Sequence, residues 1–113
     1  MPQILVLCED LMLGSKIRET LKALGKDARF LSTVQSLAAA AEGAELVLAD
    51  LSLRGPDPIP ALAELKAGPL ATARVIAFFS HVDEETRRRA LEAGIDQVLP
   101  RSAFFANLPA LVG

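Results

Sequence analysis

The fold is decided by residues 45–55, which read ELVLADLSLRG. The apolar run at 46–49 is followed by a single carboxylate, Asp50, and then by a loop. An unbroken apolar run of this length is typical of a strand buried on both faces of a parallel sheet. Similar runs lie on either side, at residues 4–7 and 74–79. The stretch therefore predicts a central strand whose carboxyl end carries an aspartate.

Strands and helices alternate five times along the chain. Apolar residues spaced three or four apart predict a helix after each strand. We expect one domain over residues 1–113, an α/β fold in which helices cover both faces of a doubly wound parallel sheet, making three layers. Five such units suggest the flavodoxin-like strand order 2-1-3-4-5, although periodicity alone does not fix it. The predicted strands are residues 4–7, 28–31, 46–49, 74–79 and 97–99, and the predicted helices are residues 11–24, 32–42, 58–67, 83–93 and 102 onward.

Capping residues set the expected helix ends. Asp83 precedes a helix rich in acidic residues in its first turn, where the helix dipole favours them. Ser32 and Gln35 have the spacing of a capping box. Pro58 or Pro60 suits a first turn of the third helix, whereas Pro109 should shorten or break the last helix.

Composition excludes several classes of protein. A net charge of −2 and a pI near 5.3 give no electrostatic case for nucleic acid. Cys8 is the only cysteine, so no internal disulfide forms, and this favours a reducing compartment. We read no signal peptide, and no apolar run approaches the ~20 residues that span a bilayer. The expected protein is cytoplasmic, without membrane contact.

Polar side chains follow several of the predicted strands. In doubly wound sheets, ligands bind outside the carboxyl ends of the strands, next to the point where the strand order reverses. One basic residue then faces a group of carboxylates across a shared rim. The residues expected at this rim are Cys8, Glu9, Asp10, Asp50, Phe79 or Ser80, and Arg101.

Four segments resemble the landmarks of the receiver (CheY-like) domains of bacterial response regulators. They are ILVLCED, ELVLADLSLRG, RVIAFF and ALEAGIDQVLPRS, and the lengths between them agree as well. The resemblance implies a domain that takes a phosphoryl group on Asp50. It also implies two acidic residues after the first strand that bind Mg²⁺, a hydroxyl after the fourth strand and a lysine after the fifth.

The pattern is incomplete in this chain. Glu9 matches the second acidic position, but Cys8 stands where the first acid is expected, and Arg101 replaces the lysine. Phe79 falls on the hydroxyl position when counted back from the glycine of the following helix, and Ser80 fits if that helix is one residue shorter. The resemblance therefore implies a degenerate receiver, a pseudo-receiver.

These departures bear on the metal and on the basic residue. Mg²⁺ prefers hard oxygen ligands, so Glu9 and Asp50 would bind it weakly or not at all. Asp10 either supplies a further ligand or caps the first helix. Arg101 either forms a bidentate bond to Asp50 or points into solvent. The resemblance also implies a cis peptide bond before Pro100.

The sequence predicts a module that is not an enzyme and signals by protein–protein interaction, without depending on phosphorylation. Its partner would be a protein or a second copy, and the resemblance to receivers implies binding through the fourth helix, fifth strand and fifth helix. That surface would include Arg87, Arg88 and one of the phenylalanines Phe104 and Phe105. One alternative is a working phospho-receiver with Asp50 as acceptor. A less favoured one is a phosphotransfer protein with Cys8 as nucleophile.

Overall fold

A computed structural model of the chain describes residues 3–54, 56–80 and 83–112. Gly55 and His81, both predicted in loops, lie outside the described residues. The sheet has five parallel strands in the order β2-β1-β3-β4-β5, as predicted. The strands are β1 (Ile4–Leu7), β2 (Ala28–Leu31), β3 (Leu46–Asp50), β4 (Arg74–Phe79) and β5 (Gln97–Pro100).

Helices cover both faces of the sheet, which gives the three predicted layers. They are α1 (Leu11–Ala23), α2 (Val34–Ala40), α3 (Pro58–Lys66), α4 (Glu84–Glu92) and α5 (Arg101–Val112). Alternate strand residues face opposite ways, so each strand contributes to two apolar cores. Val6, Leu48 and Phe78 belong to the core beneath α1 and α5. Leu7 and Val47 belong to the core beneath α2, α3 and α4. None of the helices in the described ranges has the length and apolarity that crossing a bilayer requires.

Side-chain caps fix the helix starts. Asp10, Asp57 and Asp83 each accept hydrogen bonds from backbone N–H groups of the turn that follows. Asp10 and Asp83 confirm the sequence prediction. The predicted cap of α2 is wrong by one residue, because Thr33 Oγ1 accepts from Ser36 N at 3.1 Å. The register of this short helix follows from Leu37, which must point into the core and is fully buried.

The end of the chain differs from the prediction in two respects. Pro109 lies inside α5 without ending it. Proline removes one backbone donor, but Leu108 and Val112 on either side are 0% and 8% exposed, so burial holds the last turn in place. The Leu99–Pro100 bond is trans, contrary to expectation. Pro100 ends β5 in register with Phe79, and an extended strand accommodates the ordinary trans bond.

Candidate functional site

The candidate site is a pocket at the carboxyl edge of the sheet. β1 and β3 are neighbours in the sheet, so the residues that follow Leu7 lie beside the end of β3. The pocket has a volume of about 320 Å³ and is lined mainly by polar side chains. Its lining residues are Glu9, Asp10, Asp50, Ser52, Arg54 and Arg101.

Asp50 is the only buried charged side chain among the described residues and is 3% exposed. Its Oδ1 accepts a hydrogen bond from Ser52 N at 2.8 Å. Burial raises the pKa of the Asp50 carboxyl, because removal from water disfavours the charged form. The Ser52 N–H and the charge of Arg101 oppose this rise in pKa. The predicted acceptor therefore lies at the predicted place, in surroundings that penalise its ionisation.

Cys8 lies against Asp50. Its Sγ is 4.0 Å from Asp50 Oδ2 and 3.6 Å from the carbonyl oxygen of Asp10, and in both contacts the thiol is the donor. The pKa of the Cys8 thiol is raised to about 11, chiefly by burial and in part by the charge of Asp50, against the opposing effect of a backbone hydrogen bond at Asp10. The thiol is therefore protonated at neutral pH, and the group next to Asp50 is a neutral donor where the resemblance implies a carboxylate.

The other two acidic residues of the pocket are engaged by backbone donors. Asp10 Oδ1 accepts from Met12 N at 2.9 Å and from Leu13 N at 3.1 Å, which is its capping role. Glu9 Oε1 accepts from Arg54 N at 2.5 Å, so its carboxylate reaches across the pocket to the loop after β3. Both carboxylates thus hold the loops that frame the pocket.

Phe79 and Ser80, at the end of β4, lie in different surroundings. Phe79 is 5% exposed and packs in the core beneath α2, α3 and α4. Ser80 is exposed at the rim, where its N–H donates to Ser52 Oγ at 3.3 Å and the two hydroxyl oxygens are 3.5 Å apart. The hydroxyl nearest the pocket on this strand is therefore that of Ser80, and Phe79 is a core residue.

Arg101 fits neither of its two predicted roles. As the first residue of α5 it lines the pocket and is only partly exposed, so it does not point freely into solvent. Within the described residues no hydrogen bond or ion pair joins it to Asp50, and its buried Nε has no partner. The predicted bidentate bond is wrong: the donors to Asp50 are Ser52 N and the Cys8 thiol, and not the Arg101 guanidinium. Arg101 acts on Asp50 by its charge alone.

The side chains present do not fit a firm Mg²⁺ site. No group of three His, Cys, Asp or Glu residues in the described part of the chain is arranged to hold a metal ion. Mg²⁺ requires near-octahedral oxygen ligation, and here a protonated thiol takes the place of one oxygen ligand. Asp10 and Glu9 are drawn toward backbone amides, away from a common centre.

The predicted partner surface is changed by the packing of α4 and α5. Arg87 and Arg88 are both exposed, and Arg88 is also paired with Glu85 at 2.5 Å and Glu92 at 2.8 Å. Phe104 is fully buried and stacks on Phe78 with centroids 4.3 Å apart, so of the two phenylalanines it is not the one that can contribute to an interaction surface.

Phe105 is the more outward of the two rings. It is half-buried, contacts Phe104 edge-on and lies beneath the ammonium group of Lys16 at 5.4 Å.

Among the pocket residues, Ser52 and Arg54 were not predicted from the sequence. Their position directly after Asp50, in the loop that borders the strand ends, was the available signal.

No protein-family model matches the sequence, and no curated protein matches it. Solved structures do match. A CheY-like response regulator receiver domain protein from Methanospirillum hungatei has a TM-score of 0.82 at 19% identity, over 99% of this chain and 90% of that chain. The receiver domain of a Pseudomonas aeruginosa sensor histidine kinase, with a magnesium ion in its active-site cleft, has a TM-score of 0.81 at 22% identity, over 96% and 91%.

The BeF3-activated DrrB receiver domain has a TM-score of 0.78 at 20% identity, over 96% of this chain and 95% of that chain. At these identities the likeness establishes the fold alone. It agrees with the strand order β2-β1-β3-β4-β5. The chain therefore has the fold of the response-regulator receiver domains, the CheY-like fold.

Proposed function

We propose that this chain is a receiver-like signalling module that acts in the cytoplasm by binding another protein, independently of phosphorylation. The observation that carries the proposal is the contact between Cys8 and Asp50. A protonated thiol lies 4.0 Å from Asp50 Oδ2, where the resemblance implies a second carboxylate. The pair carries one negative charge fewer than the receiver pattern and attracts a divalent cation correspondingly less.

The chemistry of phosphoryl transfer supports this proposal. Metal ions neutralise the charge that builds up when a phosphoryl group moves onto an oxygen nucleophile. Here the metal ligands are incomplete, and burial raises the pKa of Asp50, which disfavours the carboxylate that would attack. Arg101 supplies a standing positive charge in place of an exchangeable cation. The pocket therefore suits a module that functions in its unphosphorylated state.

The test is direct phosphorylation with a small donor. We expect that acetyl phosphate and Mg²⁺ leave intact-mass spectra of the protein without a stoichiometric phosphoryl adduct. We also expect Asp50→Asn to bind the native partner as well as the unchanged protein does. Stoichiometric, acid-labile phosphate on Asp50, lost in the Asp50→Asn variant, would refute independence from phosphorylation.

A second candidate function is that of an atypical phospho-receiver, and the position of Ser80 favours it. The Ser80 hydroxyl lies at the rim within 3.5 Å of the Ser52 hydroxyl, and the pocket next to Asp50 has room for a phosphoryl group. In this function Glu9 and Asp10 would release their backbone donors to bind Mg²⁺. The same mass-spectrometric experiment decides between the two functions.

A cysteine-dependent phosphotransfer protein is the least supported function. With a pKa of about 11, Cys8 is a thiolate in roughly one molecule in ten thousand at neutral pH. The carboxylates around it also repel phosphate. Retention of all binding by Cys8→Ser would exclude this function.

A further inference from the structure

A groove lies away from the pocket, between α1 and the edge strand β2. It has a volume of about 450 Å³. Its floor includes Leu21, which is 1% exposed, and Phe30, which is half-buried. β2 pairs only with β1, so no further strand closes the outer side of the groove. An open groove with an apolar floor can accept an extended segment of another molecule.

The sides of this groove are basic. Arg18, Lys22 and Lys26 line it, all three exposed, and Asp27 is the one carboxylate among its lining residues. Arg18 and Lys22 are four positions apart on one face of α1, about 6 Å along the helix axis. None of the three cations forms an ion pair in the part of the chain that the structure describes. The groove thus concentrates unpaired positive charge on a protein whose net charge is −2.

Acidic residues bound this basic stretch at both ends. The Arg18 guanidinium stacks on the Phe30 ring at 4.1 Å, and beyond this pair a second cleft leads to Glu9 and Asp10. At the opposite end, Asp27 and Glu45 border the neighbouring cavity. A long polyanion or a membrane plane would also meet Glu9, Asp10 and Glu45, whereas a short segment would meet only Asp27. The size of the basic stretch therefore favours a short anionic peptide segment.

We propose that the groove between α1 and β2 binds an acidic segment of a partner protein, with an apolar side chain of that segment against the half-buried Phe30. This inference rests on the proposed function and names the chemistry of the partner. Carboxylates of the segment would pair with Arg18, Lys22 and Lys26, which gives orientation and a salt-dependent association rate. A carboxylate of the bound segment would also compete with the Phe30 ring for the Arg18 guanidinium. Arg18 and Phe30 lie where the groove meets the cleft that leads to Glu9 and Asp10.

Fluorescence anisotropy with a defined peptide tests the proposal. The probe is a fluorescein-labelled peptide of about twelve residues, all glutamate except a central leucine, and its control replaces each glutamate with glutamine. We expect the glutamate peptide to bind the whole chain and to weaken with added salt, and the glutamine peptide not to bind. Lys22→Glu with Lys26→Glu should weaken binding about tenfold or more, since each exposed ion pair contributes modestly and both are reversed.

Arg74→Glu is the matched control, because it reverses an exposed charge at the start of β4 that does not line the groove. It should change affinity less than about twofold. Equal losses in both variants, or no binding of the glutamate peptide, would overturn the proposal. Preference for phosphatidylglycerol vesicles or duplex DNA over the peptide would overturn it as well. So would self-association that the double variant abolishes, since the occupant would then be a second copy.

The same titration separates this inference from the proposed function. If the peptide binds only after treatment with acetyl phosphate and Mg²⁺, independence from phosphorylation fails and the groove assignment stands. If the unphosphorylated protein binds its native partner and the double variant binds it equally well, the groove assignment fails and the proposed function stands.

Discussion

Replacing Cys8 by aspartate should recreate the charge pair that this pocket lacks. The Sγ of Cys8 lies 4.0 Å from Asp50 Oδ2, so a carboxylate at position 8 would face that of Asp50 at about the same distance. At an effective dielectric constant of ~20, two like charges at this separation repel by about 4 kcal/mol. When the two carboxylates take up a proton, their repulsion falls. The loss of stability in Cys8→Asp should therefore be largest above neutral pH and smaller at pH 5.

Urea denaturation followed by far-UV circular dichroism measures the effect, because the sequence contains neither Trp nor Tyr for fluorescence. With a slope of about 2 kcal/mol per molar urea, a loss of 4 kcal/mol lowers the midpoint by about 2 M. Mg²⁺ at a hundred times its dissociation constant should restore about 2.7 kcal/mol to Cys8→Asp and leave the unchanged protein as it was.

The matched control is Cys8→Asn, which has the shape of aspartate without its charge. Its urea midpoint should be close to that of the unchanged protein and should not change when Mg²⁺ is added. Equal midpoints for the aspartate and asparagine variants without metal would refute the repulsion. Stabilisation of the unchanged protein by Mg²⁺ to the same extent as Cys8→Asp would refute the view that Cys8 removes the metal site.

Three further predictions follow from the packing and the charges. Phe104→Ala should lower the free energy of unfolding by about 4 kcal/mol, and Phe105→Ala by about 1 kcal/mol. A lower urea midpoint for Phe105→Ala than for Phe104→Ala would contradict the burial of Phe104. Because burial raises the pKa of Asp50 above its usual 3.8, the stability of the unchanged protein should fall as pH rises through that higher pKa. Asp50→Asn should therefore be more stable than the unchanged protein at pH 7, and the difference in unfolding free energy should shrink toward pH 4. A difference that does not depend on pH would contradict the raised pKa of Asp50. Pro109→Ala should stabilise α5 by about 1–3 kcal/mol, because alanine restores a backbone donor inside the helix, and an unchanged thermal midpoint would contradict this.

The alternation of strands and helices was readable from the sequence because it depends on local periodicity. The runs at 4–7 and 74–79 became β1 and β4 with the predicted bounds. The caps Asp10 and Asp83 were also predictable, since a short acidic side chain bonds to backbone donors of its own neighbourhood. Predictions that depended on a balance between local and tertiary effects were less accurate. Pro109 does not break α5, because the buried residues on either side of it outweigh one lost hydrogen bond.

Within the site, the sequence by itself determined which residues reach the carboxyl edge, because parallel strands end there together. It placed Asp50 at that edge with Glu9, Asp10 and Arg101 around it. Only the tertiary structure decided how these groups contact one another. That the Cys8 thiol faces Asp50, and that Arg101 does not bond to it, depends on side-chain directions and on competing donors from distant segments. These contacts depend on which donors from distant segments the fold brings next to Asp50, and the spacing of residues along the chain does not determine this.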